Sequence, residues 1–304
     1  MSNAIRMENI TKKFGRVTAL DGLNLEVPEG AIYAFVGPNG AGKTTAIKIL
    51  LNIFAPTNGN AHLLGIDSRR IAGSAFTCIG YVSENQEQPE WMRVDAFFSY
   101  LRPFYPSWDR DLENELVKQF DLPLDRKLKH LSRGMKMKVA LASSLAYHPK
   151  VIVLDEPFSG LDPLVRDELI ESLLERAPET TIFVSSHDLA EVESFASHVG
   201  YLEQGQLQFS EELVTLAARF REVEVTMDAP FDPPEKWPST WMRPETSAAV
   251  LRFVDSRFDQ ERTSAEVRSL FGDVRDLTCT PMSLRSIFLA MAKSGRNPSE
   301  KEAR

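Results

Sequence analysis

The chain of 304 residues is 43% hydrophobic and 26% charged, with a formal net charge of -8. That length accommodates two domains of ordinary size, and that composition excludes a disordered or fibrous chain. The negative balance argues against nucleic acid as the main ligand, because a phosphate backbone rewards a basic face.

Cys78 and Cys279 lie in unrelated segments without metal-ligand spacing, which points to a reducing cytosol rather than a disulfide. The opening MSNAIRMENITKKF has no apolar core of signal-peptide length, and no apolar run approaches the roughly 18–20 residues that span a bilayer. A membrane role, on this reading, runs through a partner.

In chain order, residues 4–14 and 19–27 alternate polar and apolar, as two strands joined around Gly15 would. A PEG turn at 28–30 leads into AIYAFV (31–36), a continuous apolar run that predicts a buried parallel strand. GPNGAGKTT (37–45) follows and fits the phosphate-binding pattern G-x-x-x-x-G-K-[ST] at every defined position, and AIKILLNIF (46–54) continues at helical spacing. Gly37, Gly40 and Gly42 let the backbone fold tightly and turn its N–H groups inward, with Pro38, Asn39 and Ala41 between them and Thr45 closing the motif. The helix N-terminus adds positive potential. Lys43 is expected at the β- and γ-phosphates and the Thr44 hydroxyl on magnesium. The pattern predicts a nucleoside triphosphate as ligand.

Residues 59–65 and 79–82 suggest further short strands, and from Pro89 to about Tyr147 the texture becomes helical, with aromatics in FFSYLRPFYPSW (97–108). KMKVALASSLAY (136–147) sets Met137, Leu141 and Leu145 on one stripe, and Pro149 stops it. VIVLD (151–155) and TIFVS (181–185) are again buried-strand runs, with ELIESLLERA (168–177) as the helix between them. YLEQGQLQF (201–209) reads as a hairpin at Gln204-Gly205, and a helix at 211–220 is expected to close the first domain. Beyond Arg221, EVEVTM (222–227), a proline-rich link (229–238), AAVLRFV (248–254), a helix near 264–271, a strand near 274–280 and a helix near 283–292 make a small α+β module. The polar residues 293–304 are read as a disordered tail.

VIVLDEP (151–157) puts two carboxylates at the C-terminal end of a buried strand, where parallel sheets build their ligand sites. Behind a phosphate loop, Asp155 is expected to hold magnesium through water and Glu156 to polarise the attacking water. His187, just after the strand 181–185, is positioned to approach the same γ-phosphate. LSRGM (131–135) heads the helix 136–147, with Ser132 as its cap and Gly134 leaving room for a phosphate.

With LSRGM and SGLD (159–162), the order of motifs over about residues 4–220 resembles the ATP-binding-cassette (ABC) ATPases. The whole chain looks like the separate ATPase subunit of a bacterial ABC transporter of the exporter-like kind, and SLRSIFLAMAK (283–293) is similar to the segment closing many such subunits. The resemblance implies an α/β P-loop NTPase fold with a parallel core sheet, an N-terminal antiparallel β subdomain and a helical subdomain at about 89–147. On that division residues 1–220 form the nucleotide-binding domain and 221–292 a small accessory α+β domain. It also implies a head-to-tail dimer, with itself or a related ATPase, that holds two ATP and Mg2+ at its interface. Its partner is an integral-membrane permease, which places the chain on the cytoplasmic face of the cell membrane and leaves no role for nucleic acid.

By the same match Phe14 stacks on adenine, Gly37 through Thr45 hold the triphosphate and magnesium, and Ser132 and Gly134 contact the γ-phosphate bound by the other subunit. Glu156 is the general base, Asp162 aligns the interface, and His187 stabilises the γ-phosphate. Two motifs depart from the family pattern. The signature that usually reads LSGGQ has Arg133 and Met135, and the usual glutamine after the strand 79–82 is replaced by Glu84, with Gln86 two residues on. Either can approach magnesium, and Glu84 is the expected ligand. The basic run Arg126, Lys127, Lys129, Arg133, Lys136 and Lys138 is a solvated face or a recognition surface, and the aromatics of 97–108 are helical core or a docking site. A soluble ABC ATPase acting on ribosomes or DNA is the alternative function.

Overall fold

The computed structural model describes residues 2–272 and 274–294. The chain divides into two compact units between Ser210 and Glu211.

In the first unit, β1 (Asn3–Phe14) and β2 (Val17–Pro28) pair antiparallel around a turn in which Gly15 has φ 58°. β3 (Ile32–Val36) is buried along its whole length and runs into the phosphate-loop sequence, after which α1 (Lys43–Leu50) begins. β4 (Asn58–Leu63) and the short β5 (Ile66–Asp67) extend the antiparallel sheet in the order β2-β1-β4-β5. After β6 (Ile79–Ser83) come α2 (Val94–Leu101), α3 (Arg110–Gln119) and α4 (Arg133–Leu145), the helical segment expected from texture alone. β7 (Val151–Asp155), α5 (Pro163–Arg176), β8 (Thr181–Ser186), α6 (Leu189–Glu193) and β9 (His198–Glu203) follow, and the last two residues of β10 (Gln206–Glu212) fall past the division, in the second unit.

The second sheet has the order β10-β9-β3-β8-β7-β6, with β3 parallel to β8 and β9, and β7 parallel to β8 and β6. Its central strands are covered on both faces, which is why they read as unbroken apolar runs. Tyr33, Phe35 and Phe183 pack in the core with ring centroids 5.4 and 5.7 Å apart. Each such burial stabilises the unit by about 1.5–3 kcal/mol. The carboxyl ends of β3, β7 and β8 lie side by side, so the phosphate loop, Asp155 and Ser185 are neighbours by topology.

The second unit holds α7 (Leu213–Arg219), β11 (Arg221–Thr226), β12 (Trp241–Ser247), β13 (Val250–Asp255), α8 (Gln260–Phe271), β14 (Asp276–Pro281) and α9 (Leu284–Ser294). Its antiparallel sheet runs β12-β13-β11-β14 over a core in which Trp241 stacks on Phe253 at 3.7 Å.

Three expectations change. The helix expected to close the first domain is α7 and belongs to the second unit, because Arg219 pairs with Glu211 at 2.5 Å and donates to the Ser256 carbonyl at 2.9 Å. β12 was not anticipated. α9 continues through Ser294, so the first two residues of the expected tail are helical, and 295–304 lie outside the described residues.

Candidate active site

The loop between β3 and α1 needs glycine for reasons of space. A Cβ on Gly37 would sit 2.2 Å from the Leu202 carbonyl oxygen. Gly42 has φ 110° and a Cβ there would lie 2.5 Å from the Ala19 carbonyl oxygen. Ala41 ties the turn together: its N–H donates to the Pro38 carbonyl at 3.1 Å and its carbonyl accepts from Gly205 N–H at 3.0 Å. Asn39 and Gly40 form the exposed crest. Gly42 is the N-cap of α1 and supplies no side-chain capping bond, so the first-turn amides there lack a side-chain cap. An uncapped helix start behind a tight glycine loop is an anion site.

Lys43 is almost fully buried, and its ammonium donates to the Gly37 carbonyl at 2.6 Å and the Pro38 carbonyl at 3.3 Å while lying 3.0 Å from Glu156 Oε1. Glu156 Oε2 meets His187 Nδ1 at 2.8 Å. That bond to Glu156 raises the His187 pKa above its usual 6.5. The Glu156 backbone sits at φ 53°, in the left-handed region that few non-glycine residues occupy, and its N–H is held by Ser185 Oγ at 3.0 Å.

Asp155, only 4% exposed, accepts from Thr44 Oγ1 at 3.1 Å and Ser185 Oγ at 2.8 Å. Burial pushes its pKa up, against the pull of those two hydroxyls. Two hydroxyl donors compensate a buried carboxylate weakly, and a carboxylate beside a hydroxyl is a hard-oxygen donor set. Thr45 follows in the first turn of α1.

Thus Gly37, Pro38, Lys43, Thr44, Asp155, Glu156 and His187 form one connected cluster. The side chains of Phe14, Ser132, Asp162 and Glu84 find partners outside it. Phe14, at the end of β1, is 44% exposed and meets Phe54 edge-on at 5.4 Å, with Lys12 Nζ 4.9 Å over its ring. Ser132 caps α4, accepting from Met135 N–H at 3.2 Å. A Cβ on Gly134 would come 3.1 Å from Val165, so packing on α5 by itself favours glycine there. Asp162 caps α5 through Val165 N–H at 3.1 Å. Glu84 N–H donates to the Asp155 carbonyl at 3.1 Å, but its side chain pairs with Arg133, and Gln86 is exposed in the turn that follows.

Sequence reasoning passed over Ser185, the hydroxyl that braces both carboxylate residues. Its signal was a polar residue ending a buried strand. Of the basic run, Arg133 pairs with Glu84, Lys136 with Glu90 at 3.1 Å and Lys138 with Glu168. Half of that run therefore has an acidic partner within the fold.

A glycine-tight loop on a parallel strand, a buried lysine and two carboxylates ending the next strand but one define a P-loop nucleoside triphosphatase. Residues 20–159 match the family described as ABC transporter. The chain is 31% identical over 211 residues to the bacitracin transport ATP-binding protein BcrA of Enterococcus faecalis, covering 68% of each chain. It is 33% identical over 215 residues to the lantibiotic transport ATP-binding protein SrtF of Streptococcus pyogenes, covering 68% of this chain and 90% of that one. Among solved structures it resembles the dimeric post-hydrolysis ATP-binding cassette MJ0796 bound to ADP and Pi, with a TM-score of 0.60 and 26% identity over 69% of this chain and 98% of that one. The chain belongs to the ABC transporter family as an ATP-binding subunit. It is an ATPase of transport, of a class that binds nucleotide, forms dimers and works with membrane components. Among the described residues no helix is long and apolar enough to cross a membrane.

Proposed function

We propose that this chain energises export through a separate integral-membrane permease, from the cytoplasmic face of the membrane. Relatives named for bacitracin, lantibiotic and multidrug transport support the transport role, and the outward direction rests on the exporter-like resemblance of the sequence. It works as a head-to-tail dimer, with itself or a related ATPase, holding two ATP between the subunits. The observation that carries the reading is the convergence of Lys43, Asp155 and Glu156 behind a loop that only glycine can form.

The loop amides and the uncapped start of α1 receive the phosphates. Lys43 exchanges the Gly37 carbonyl for the β- and γ-phosphate oxygens. Phe14 offers an exposed ring to adenine. The weakly compensated Asp155, with Thr44 and Glu84, fits Mg2+, which when bound neutralises charge on the phosphates. Glu156 orients the attacking water and accepts its proton, and His187 donates toward the γ-phosphate. Ser132 and Gly134 serve the ATP of the opposite subunit, with Asp162 at the junction. Exposed Trp91, Tyr100 and Phe104 in the helical segment supply an apolar surface for the permease, whereas Phe97 and Phe98 are core.

The test is affinity purification of the full chain from its native membranes in detergent. A polytopic membrane protein should co-purify stoichiometrically, with magnesium-dependent ATPase activity. Recovery with ribosomes or DNA instead would overturn the transport reading.

A further inference from the structure

Two of the residues that depart from the family pattern, Glu84 and Arg133, stand 49 positions apart in sequence and meet in the structure. Glu84 leaves the sheet beside the cation-binding end of β7: Ser83 is the register partner of Asp155, and Glu84 N–H is bonded to the Asp155 carbonyl at 3.1 Å. From that position its carboxylate turns away from Asp155 and pairs with the guanidinium of Arg133, the first residue of α4 after the cap Ser132.

Arg133 is held for this contact from the other side. Gly160 has φ 64°, and a Cβ there would lie 2.9 Å from Arg133 Nη1, so the guanidinium rests against the turn that precedes α5. Two more contacts stitch the same segments together: Gln88 Nε2 donates to the Lys136 carbonyl at 3.0 Å, and Lys136 pairs with Glu90 at 3.1 Å. Even so, the seam is not closed. A cleft of about 250 Å3 remains between Glu84, Gln86 and Gln88 on one wall and Arg133, Lys136 and Met137 on the other. Gln88 Oε1 is buried without a hydrogen-bond partner. The Glu84 carboxylate has space to swing.

We propose that Arg133 is a positioning residue for Glu84: it holds the carboxylate on α4, and magnesium at the phosphate-loop side must compete with it to draw Glu84 in. The proposal rests on the reading of Glu84 as a magnesium ligand. A glutamine at this position would form no ion pair with Arg133, and a glycine at 133 would hold nothing. The two departures therefore act together, as a charge pair that sets how much magnesium the site requires. Glu84 and Arg133 side chains are 26% and 47% exposed, so the pair is a partly solvated one of modest strength. Release of Glu84 also frees a guanidinium next to Ser132.

The experiment is equilibrium binding of a non-hydrolysable ATP analogue to the full chain at graded magnesium, which reads the half-saturating magnesium concentration without turnover. Arg133→Ala should lower that concentration roughly two- to five-fold, the range of a partly exposed ion pair. Arg133→Lys, which keeps the charge and loses the planar fork, should lower it less. Glu84→Ala should raise it, and adding Arg133→Ala to Glu84→Ala should change nothing further. An unchanged value in Arg133→Ala beside a raised one in Glu84→Ala overturns the competition and leaves Glu84 as a ligand. Unchanged values in both overturn the ligand reading and the proposal with it. A shift in Arg133→Ala that persists in the double variant shows that Arg133 acts on something other than Glu84, and also overturns it.

Discussion

Each unit of the chain buries an aspartate at the end of a strand, and the two are compensated in opposite ways. Asp255, at the end of β13, is fully buried and accepts from Arg262 Nη2 at 2.7 Å, Thr263 Oγ1 at 2.6 Å and Arg257 N–H at 2.9 Å. Arg262 in turn is shared with Glu266 at 2.8 Å, and Glu266 takes the Trp241 indole N–H at 3.0 Å. That network is closed: charge meets charge and each group named has a partner. Asp155, at the end of β7, receives two hydroxyls, while the nearby Lys43 ammonium lies against Glu156. The first arrangement is a structural rivet. The second leaves a buried carboxylate under-compensated, in keeping with the cation role proposed for it.

The largest effect expected falls on chemistry. Glu156→Gln keeps the shape and the hydrogen-bonding reach of the side chain but removes the base, so hydrolysis should fall by at least ~10²-fold while ATP still binds. Turnover near that of the parent chain would show that the cluster on β7 and β8 does not carry the reaction.

Next come two substitutions that set the aspartates against each other. Asp255→Ala strands the Arg262 guanidinium and the buried Thr263 hydroxyl. It should cost about 2–3 kcal/mol in the second unit, below the 3–5 of a wholly buried pair because Arg262 is partly exposed. ATP binding should survive. Asp155→Asn removes a charge that burial disfavours, so the metal-free first unit should be as stable as the parent or slightly more so, while magnesium-dependent hydrolysis is lost. Amide hydrogen exchange along β13 and β7 separates the two units, which a single melting curve would blend. Equal destabilisation by both substitutions would erase the contrast.

The legible part of the molecule is the part whose constraints are local. Gly37 and Gly42 are demanded by atoms within a few ångströms, and the continuous runs 32–36 and 151–155 announce strands covered on both faces. What escaped reading depends on tertiary meetings. Glu84 and Arg133 look like two unrelated departures until the fold joins them. β12 hides because Pro244 interrupts it, and the structure accommodates that residue at a bulge on an edge strand, where Arg243 has φ 50° and the register with β13 shifts. The closed Asp255 network carries no motif at all, since its members are chosen by geometry alone. The left-handed backbone of Glu156 is likewise invisible in the letters VLDEP.

A smaller effect distinguishes two helix starts of the first unit. α1 begins at Gly42 without a side-chain cap, whereas α4 begins at Ser132 with one. Ser132→Ala should cost about 1 kcal/mol through loss of the cap, and Ser132→Gly only a few tenths. Hydrogen exchange at the start of α4 reads that cost directly. A hydrolysis defect much larger in both variants than the cap accounts for would place the Ser132 hydroxyl on nucleotide as well.

The smallest effect concerns His187, whose ring nitrogen is bonded to Glu156. Its bond to Glu156 favours the imidazolium and raises its pKa above 6.5. A raised folded-state pKa means stability that is fully present below 6.5 and disappears as pH rises through the folded value. The ring is 42% exposed, so this contribution should stay within the ~0–1 kcal/mol of a solvated pair. The titration itself is the sharper observable. The His187 ring resonance, assigned by its loss in His187→Gln, should titrate above 6.5 in the nucleotide-free chain and move back toward 6.5 in Glu156→Gln. Bound ATP draws Lys43 off Glu156 and adds phosphate charge, which also favours the imidazolium, so nucleotide should hold the His187 pKa up even in Glu156→Gln. A resonance indifferent to both changes would mean that the ring does not face the γ-phosphate, and His187 would then lose its proposed role beside Glu156.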